Sequence, residues 1–311
     1  NVLEKVFINN FDFSSKKFFT KFGFKNDFKV LFKNTNKDSK NSVVDKDMVS
    51  SDNYTSLILG STYPLRKKMQ NFESQLIPKI SLRASPNRSE NLKNEDRRID
   101  GVNAFSTNRL GLNDSLEGGQ SLTVGSEYNL NDISGNEILK INLAQIYRDI
   151  NEKNLPIKSK MTTKSSDVVG AVKFTPNKYL DFDYDFSLDN NLKTSNFSMA
   201  KSTISINNFI TTFEFLEENN EIGSKSYLAN ETSYTLNKSN KLLFRNRTNK
   251  KTNLKEYYNL IYQYANDCLV AAIEFNKNYY SDGDLKPTKE LFFSLTIIPF
   301  ATLNTPGVNP Q

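Results

Sequence analysis

Polar and apolar residues alternate along most of the chain, and the stretch KYLDFDYDFSLD (Lys178–Asp189) shows the pattern most clearly. Leu180, Phe182, Tyr184, Phe186 and Leu188 fall on one side of an extended chain, and Asp181, Asp183, Asp185, Ser187 and Asp189 on the other. Successive strand residues point to opposite faces, so this is a strand with one apolar and one acidic face. A soluble sandwich would bury the apolar face under a second sheet. A membrane barrel would show it to lipid and turn the carboxylates to a wet lumen.

About fifteen such segments recur, from KKFFTKFGF (Lys16–Phe24) to ELFFSLTIIPF (Glu290–Phe300). Most approach the roughly ten residues of a tilted membrane-crossing strand, whereas soluble strands average nearer five or six. In EYYNLIYQYAN, Tyr258, Leu260, Tyr262 and Tyr264 share one face, and Asn259 and Gln263 share the other with Ile261. In NFITTFEFLEE, Phe209, Thr211, Phe213 and Phe215 oppose Ile210, Thr212, Glu214 and Leu216. Connections come in two sizes. Thr175–Lys178, Asn190–Lys193 and Asn237–Asn240 suit tight turns, while Asn34–Asn53, Asn87–Gly101 and Ile150–Ser166 read as long polar loops. Outer-membrane barrels pair short periplasmic turns with long extracellular loops. The pattern therefore predicts an all-β, antiparallel transmembrane β-barrel over residues 1–300 and an extended, unpaired tail over 301–311, where two prolines and a glycine fall. A soluble sandwich or solenoid also alternates. The absence of Trp, the lack of dense apolar segments and only 12 glycines in 311 residues weigh against it.

Composition narrows the function. Apolar residues make up 37% of the chain, yet Phe (23) and Tyr (14) are plentiful, as alternation of polar and aromatic residues requires. No run reaches the roughly 18 uncharged apolar residues of a spanning helix. The chain has no His and one Cys, Cys268, which removes the usual general base, most zinc sites and any internal disulfide. The net charge of +6 comes from Lys and Arg interleaved with Asp and Glu, so no nucleic-acid partner is expected. The chain opens on NVLEKVFINNFDF, with no targeting signal and already patterned, which reads as a fragment of a longer protein.

Candidate chemistry is sparse. Asp181, Asp183, Asp185 and Asp189 could suggest calcium, but alternate strand residues stand about 6.5–7 Å apart in a row, and a solvated wall is the better reading. GLNDSLEGGQ (Gly111–Gln120) looks like a phosphate loop yet lacks its Gly-Lys-Ser/Thr ending, so Glu117-Gly118-Gly119 reads as a backbone kink where a strand begins. The acid pairs Glu95-Asp96 and Glu217-Glu218 read as solvated loop charges. Cys268 is either a buried filler or half of a disulfide with a partner elsewhere. Nothing assembles a nucleophile, base and oxyanion site, so no enzyme, cofactor or metal is expected.

The stretch RRIDGVNAFSTNRLGLNDSLEGGQSLTVGSEY (Arg97–Tyr128) resembles the C-terminal barrel of the LPS-assembly outer-membrane protein (LptD) family. The resemblance covers roughly Leu57–Phe300, through LIPKISLRASPN (Leu76–Asn87), INLAQIYRD (Ile141–Asp149), Ser165–Asp189 and Tyr262–Phe300. It implies a Gram-negative outer-membrane protein that receives lipopolysaccharide from a periplasmic transport bridge and releases it to the outer leaflet through a lateral seam, often with a plug lipoprotein in the lumen. The chain would be the C-terminal part of a large barrel, lacking the N-terminal jellyroll and first strands. Leu180, Phe182, Tyr184 and Phe186 would face lipid, and Asp181, Asp183, Asp185 and Asp189 the lumen. The strand carrying Leu295, Ile297 and Phe300 would form one lip of the seam. Relatives carry an adjacent pair of cysteines near Cys268, bonded to their N-terminal region; here Cys268 stands alone, so at most one such bridge can form. The residues after Phe300 also delay the C-terminus and unsettle a terminal assembly signal. The rivals are a passive porin or receptor barrel, a soluble all-β binding protein and, last, a barrel-embedded lipid hydrolase.

Overall fold

The computed structural model describes residues 3–42, 46–87, 89–219, 224–279, 286–298 and 301–304. The strands are β1 (Leu3–Ser14), β2 (Phe18–Phe19), β3 (Lys25–Ser42), β4 (Lys46–Thr62), β5 (Leu65–Lys68), β6 (Phe72–Ser85), β7 (Gly119–Asp132), β8 (Glu137–Arg148) and β9 (Val168–Asn177). They continue as β10 (Leu180–Leu188), β11 (Ser195–Ile206), β12 (Phe209–Glu218), β13 (Ser226–Asn237), β14 (Asn240–Asn249), β15 (Leu254–Ala265), β16 (Leu269–Asn278), β17 (Thr288–Ile297) and β18 (Ala301–Asn304). All belong to one sheet, and every strand pair whose register is known is antiparallel. The only helical pieces among the described residues are 3-10 turns at Asn103–Phe105 and Ile157–Ser159. The protein is all-β, as the alternation predicts.

The short connections close for a common reason. Asn177, Asn237 and Asn266 each accept a backbone N–H from two residues on, at 2.8, 2.9 and 3.0 Å, and Asp132 does the same to Ser134 at 2.8 Å. An Asx side chain mimics the backbone of a turn, which is why these residues stand there. Pro64 interrupts what is otherwise one strand: β4 ends with Thr62 opposite Lys79, and β5 resumes with Leu65 opposite Leu76 in the same register. Proline offers no N–H to a ladder.

Three expectations need correction. Asn34–Asn53 is no loop: β3 and β4 pair from Lys25↔Thr62 to Ser42↔Lys46. Its polar residues bond across the strands, with Asn34 Nδ2 donating to Asn53 Oδ1 at 3.0 Å. The tail is not unpaired throughout, because Ala301–Asn304 pairs with Ser294–Ile297 of β17. A backbone that reverses just after Ile297 can satisfy its groups on its own hairpin partner. β17 is therefore not the final strand. Segments β1, β5 and β18 also escaped the count of about fifteen.

The chain forms two compact units, Asn1–Val172 with Phe186–Ser195, and Lys173–Asp185 with Asn196–Gln311. In the first unit β1, β3, β4, β6, β7 and β8 run side by side in chain order. Its main apolar cluster lies outside the sheet ladder: Leu92, Ile99, Leu110, Leu112, Leu155 and Met161 come from the segments 86–118 and 149–167 and pack on Ala144 and Ile146 of β8. Two long connections thus fold back over one face of the sheet. In the second unit β11 to β18 form a chain of neighbouring hairpins.

Candidate functional site

The two faces of the sheet in the first unit are reversed relative to a soluble protein. On β3, β4, β6, β7 and β8 the buried positions include Lys33, Thr35, Ser56, Arg83, Ser121, Thr123 and Arg148. The alternate positions are apolar and exposed: Phe32, Leu57, Leu59, Leu82, Val124, Leu143 and Tyr147. Phe7 and Phe11 on β1 are 65% and 59% exposed. An apolar band of this extent has no favourable surrounding in water and is stable against lipid.

A buried ionic cluster fixes the folded-in segments to the covered face. Glu117 Oε1 accepts from Arg109 Nη2 and Arg148 Nη1, each at 2.5 Å, and its Oε2 accepts from Arg109 Nε at 2.7 Å. Arg109 also donates to Thr123 Oγ1 and Ser121 Oγ, both at 2.9 Å, so its fork is filled by β7. Arg83 of β6 donates to the carbonyls of Ser106 and Thr107, at 2.9 and 2.7 Å. Burial by itself would raise the Glu117 carboxyl, but the charge and hydrogen bonds of Arg109, with the charges of Arg83 and Arg148, outweigh it and hold it down at about 2. The predicted kink is present, since Gly119 begins β7 with φ +82. A Cβ there would come 2.8 Å from Arg148 Nη2, so this glycine both allows the turn and admits the guanidinium.

A second clamp joins the same segment to β3. Lys33 Nζ donates to the carbonyls of Leu112 and Asn113, at 3.3 and 2.5 Å, Thr35 Oγ1 donates to the Asp114 carbonyl, and Lys37 pairs with the Asp114 carboxylate at 2.8 Å. Burial pushes the Asp114 carboxyl up, but Lys37 and then Lys33 hold it below the usual carboxylate range. The two segments are knitted together by Leu92 N–H to Asn154 O (2.7 Å) and Asn154 Nδ2 to Ser89 O (3.2 Å).

The second unit carries the same alternation, without such a cover among the described residues. Register places Lys201 opposite Glu214, Glu231 opposite Arg245, and Asn259 opposite Asn276 on one face. Arg245 Nε donates to Glu231 at 2.8 Å, the Tyr227 hydroxyl donates to Glu214 at 2.7 Å, and Arg247 lies 5.3 and 5.5 Å over the rings of Tyr227 and Tyr257. Lys201, Glu214, Tyr227, Glu231, Arg245, Arg247 and Tyr257 line an open cavity of about 330 Å3. The opposite face exposes Phe213, Leu228, Leu260, Tyr262, Ile273 and Phe293.

The residues singled out by sequence fall into several environments. Phe186 lies against Gly170, where any Cβ would collide with its ring, and so on the side of Leu143. Ser187, on the aspartate side of β10, is buried and donates to Asp167 at 2.7 Å. Asp181 is exposed and accepts from Thr175 Oγ1 at 2.7 Å. Leu180, Phe182, Tyr184, Leu188, Asp183 and Asp185 are half-buried, and the Tyr184 hydroxyl meets Ser198 Oγ at 3.3 Å. Asp189 stands past the end of β10, and its carboxylate accepts the N–H of Lys193 at 2.7 Å and of Thr194 at 3.3 Å. It closes a turn and does not continue the strand's acidic face. Leu295 and Ile297 are exposed on β17, and Phe300 lies outside the described residues. Cys268 is exposed in the short turn between β15 and β16, which overturns the buried-filler reading. Glu117, Arg109, Arg83 and Arg148 were not foreseen. The available signal was a charged residue at an alternating strand position, Arg83 in ISLRAS and Arg148 in AQIYR, which an outward apolar face leaves pointing inward.

Residues 17–255 match the family model described as "LptD: LPS transport system D". No curated protein matches the chain.

Proposed function

The chain belongs to the LptD family of outer-membrane β-barrel proteins of lipopolysaccharide transport, and from that premise we propose that it delivers lipopolysaccharide to the outer leaflet of a Gram-negative outer membrane through a lateral seam of its barrel. The observation that carries this reading is the reversal of the faces, apolar outward and charged inward. An amphiphile with a saccharide and phosphate head and acyl tails needs such a boundary: the head follows the polar side and the tails leave through the seam into lipid. The chain acts as a conduit and carries out no covalent step; a periplasmic bridge supplies the lipid, and a lipoprotein plugs the lumen.

On this reading Leu180, Phe182, Tyr184 and Phe186 face lipid, and Asp181, Asp183 and Asp185 line the lumen. Leu295 and Ile297 of β17, together with β18, form the lip of the seam. Cys268 supports a link to a periplasmic N-terminal region, because it is exposed at the short-turn end of its hairpin, the periplasmic end of such barrels. The test places a photo-crosslinking amino acid at Leu295 of the full-length protein in its own cells. A covalent lipopolysaccharide adduct is expected there. Transport that continues with no adduct at Leu295 would remove the seam from this strand, and a small-solute conductance without any lipopolysaccharide adduct would make the protein a porin.

A further inference from the structure

The first unit contains a second inward cavity, of about 310 Å3, apart from the ionic cluster and the clamp on β3. Lys17, Lys25, Lys29 and Lys79 line it against a single carboxylate, Asp27. Lys29 lies 3.9 Å from Asp27, and Lys79 pairs with Glu127, which Lys140 also approaches at 3.9 Å. Lys17 and Lys25 have no carboxylate partner among the described residues. The cavity thus holds more positive charge than its own acids balance.

Its position follows from register. Lys25 lies opposite Thr62, and Thr62 lies opposite Lys79, so two lysines flank β4 from neighbouring strands roughly 5 Å to either side. Lys29 lies opposite Ile58 four residues further along, on the same face. Two glycines make room for its walls: a Cβ at Gly60 would collide with the Asp27 carboxylate, and one at Gly125 would come 2.9 Å from the Phe105 ring. Phe105, from the folded-in segment, forms one wall and lies 5.8 Å from Lys79 Nζ. Ile58 and Ile77 add apolar surface. The cavity lies near the turns at Thr20–Phe24 and Met69–Phe72, at the short-turn end of these strands, which in outer-membrane barrels is the periplasmic mouth.

We propose that this cavity binds the phosphate groups on the saccharide head of lipopolysaccharide as it enters, a proposal that rests on the transport reading above. Ammonium groups on flexible stems serve as point charges for phosphate, and Lys17 and Lys25 are not committed to internal acids. Phe105 and the two isoleucines accept the apolar side of an amphiphile. Removal of Lys17 and Lys25 therefore weakens binding of a phosphorylated head group and leaves an unphosphorylated one unaffected.

The test uses the purified full-length protein in detergent with three probes: fluorescent lipopolysaccharide, the same glycolipid with its phosphates removed, and inorganic phosphate. The double variant Lys17→Gln, Lys25→Gln is expected to weaken lipopolysaccharide binding about tenfold or more, with Lys17→Arg, Lys25→Arg restoring most of it. The dephosphorylated glycolipid should bind more weakly and equally to both forms. Heat-modified migration on a gel confirms that each variant is folded. Tight lipopolysaccharide binding that ignores both lysines would overturn the proposal and leave the transport reading intact. Inorganic phosphate binding with the same lysine dependence, while lipopolysaccharide does not, would assign the site to a free anion and also overturn it. Absence of lipopolysaccharide binding to the unaltered protein would remove the transport reading itself, and the proposal with it.

Discussion

The inward face of the first unit and the polar face of the second begin from the same alternation and end in different states. In the first, two long connections fold back, and charges such as Glu117 and Arg148 are 4% and 5% exposed. In the second, Glu231 and Arg245 make an ion pair of similar geometry with side chains 55% and 43% exposed. Burying a charge is costly unless partners replace its water: a folded-in loop supplies the partners of Glu117 and Arg148 in the first unit, and the Glu231–Arg245 pair of the second stays wet. The energetic weight of a charge on this sheet is therefore set by its cover. A matching pair of distances is no guide to a matching contribution.

The largest expected effect separates the two directly. Glu117→Ala leaves three arginines around an empty site and should cost about 3–5 kcal/mol, whereas Glu231→Ala should cost no more than about 1 kcal/mol. Denaturant unfolding in lipid vesicles measures both, and equal losses would break the comparison. Next comes the lipid side. Phe182→Arg should cost about 2–4 kcal/mol at mid-bilayer, while Asp183→Arg should be mild; equal effects on barrel folding would refute the assignment of faces.

Gly125→Ala should cost about 1–3 kcal/mol, because the added methyl meets the Leu143 carbonyl and the ring of Phe105 and displaces the folded-in segment. Partial proteolysis should then cut within 86–118 sooner than in the unaltered protein. The carboxylate of Glu117 also predicts a pH dependence. The Glu117 carboxyl is held at about 2 in the folded protein, below its ordinary value near 4.5. A depressed folded value means that its stabilisation is fully present above about pH 4.5 and is lost as pH falls through 2. Glu117→Gln should abolish that part of the acid sensitivity, and an unchanged unfolding profile between pH 4.5 and 2 would contradict the assigned charge state.

Local chemistry made several parts of this architecture legible. The alternating aromatics of β10, β12 and β15, the Asx turns at Asn177 and Asn237, and the glycine that opens β7 all express their structural role within a few residues. Other parts carried no local mark. Asn34–Asn53 looked like a loop because apolar alternation marks only the stretch of a strand that meets lipid; beyond it, Asn and Ser are as well satisfied by each other across a hairpin as by water. Asp189 looked like one more tooth of an acidic comb, and only the turn at Lys193 and Thr194 shows that its carboxylate binds backbone N–H groups.

The sequence by itself determined the class of fold, the two-faced strands and the rhythm of short turns, because side-chain alternation and turn chemistry act between near neighbours. The tertiary structure alone decided which charges are buried, which glycines make room for them and where unbalanced lysines gather. Arg83, Arg109, Glu117 and Arg148 are strangers along the chain, and the field that holds Glu117 ionised exists only after three strands and a loop bring them within hydrogen-bonding distance or close charge contact. Coulomb interaction and desolvation depend on distance and burial in space, and neither is written in the spacing of residues along a chain.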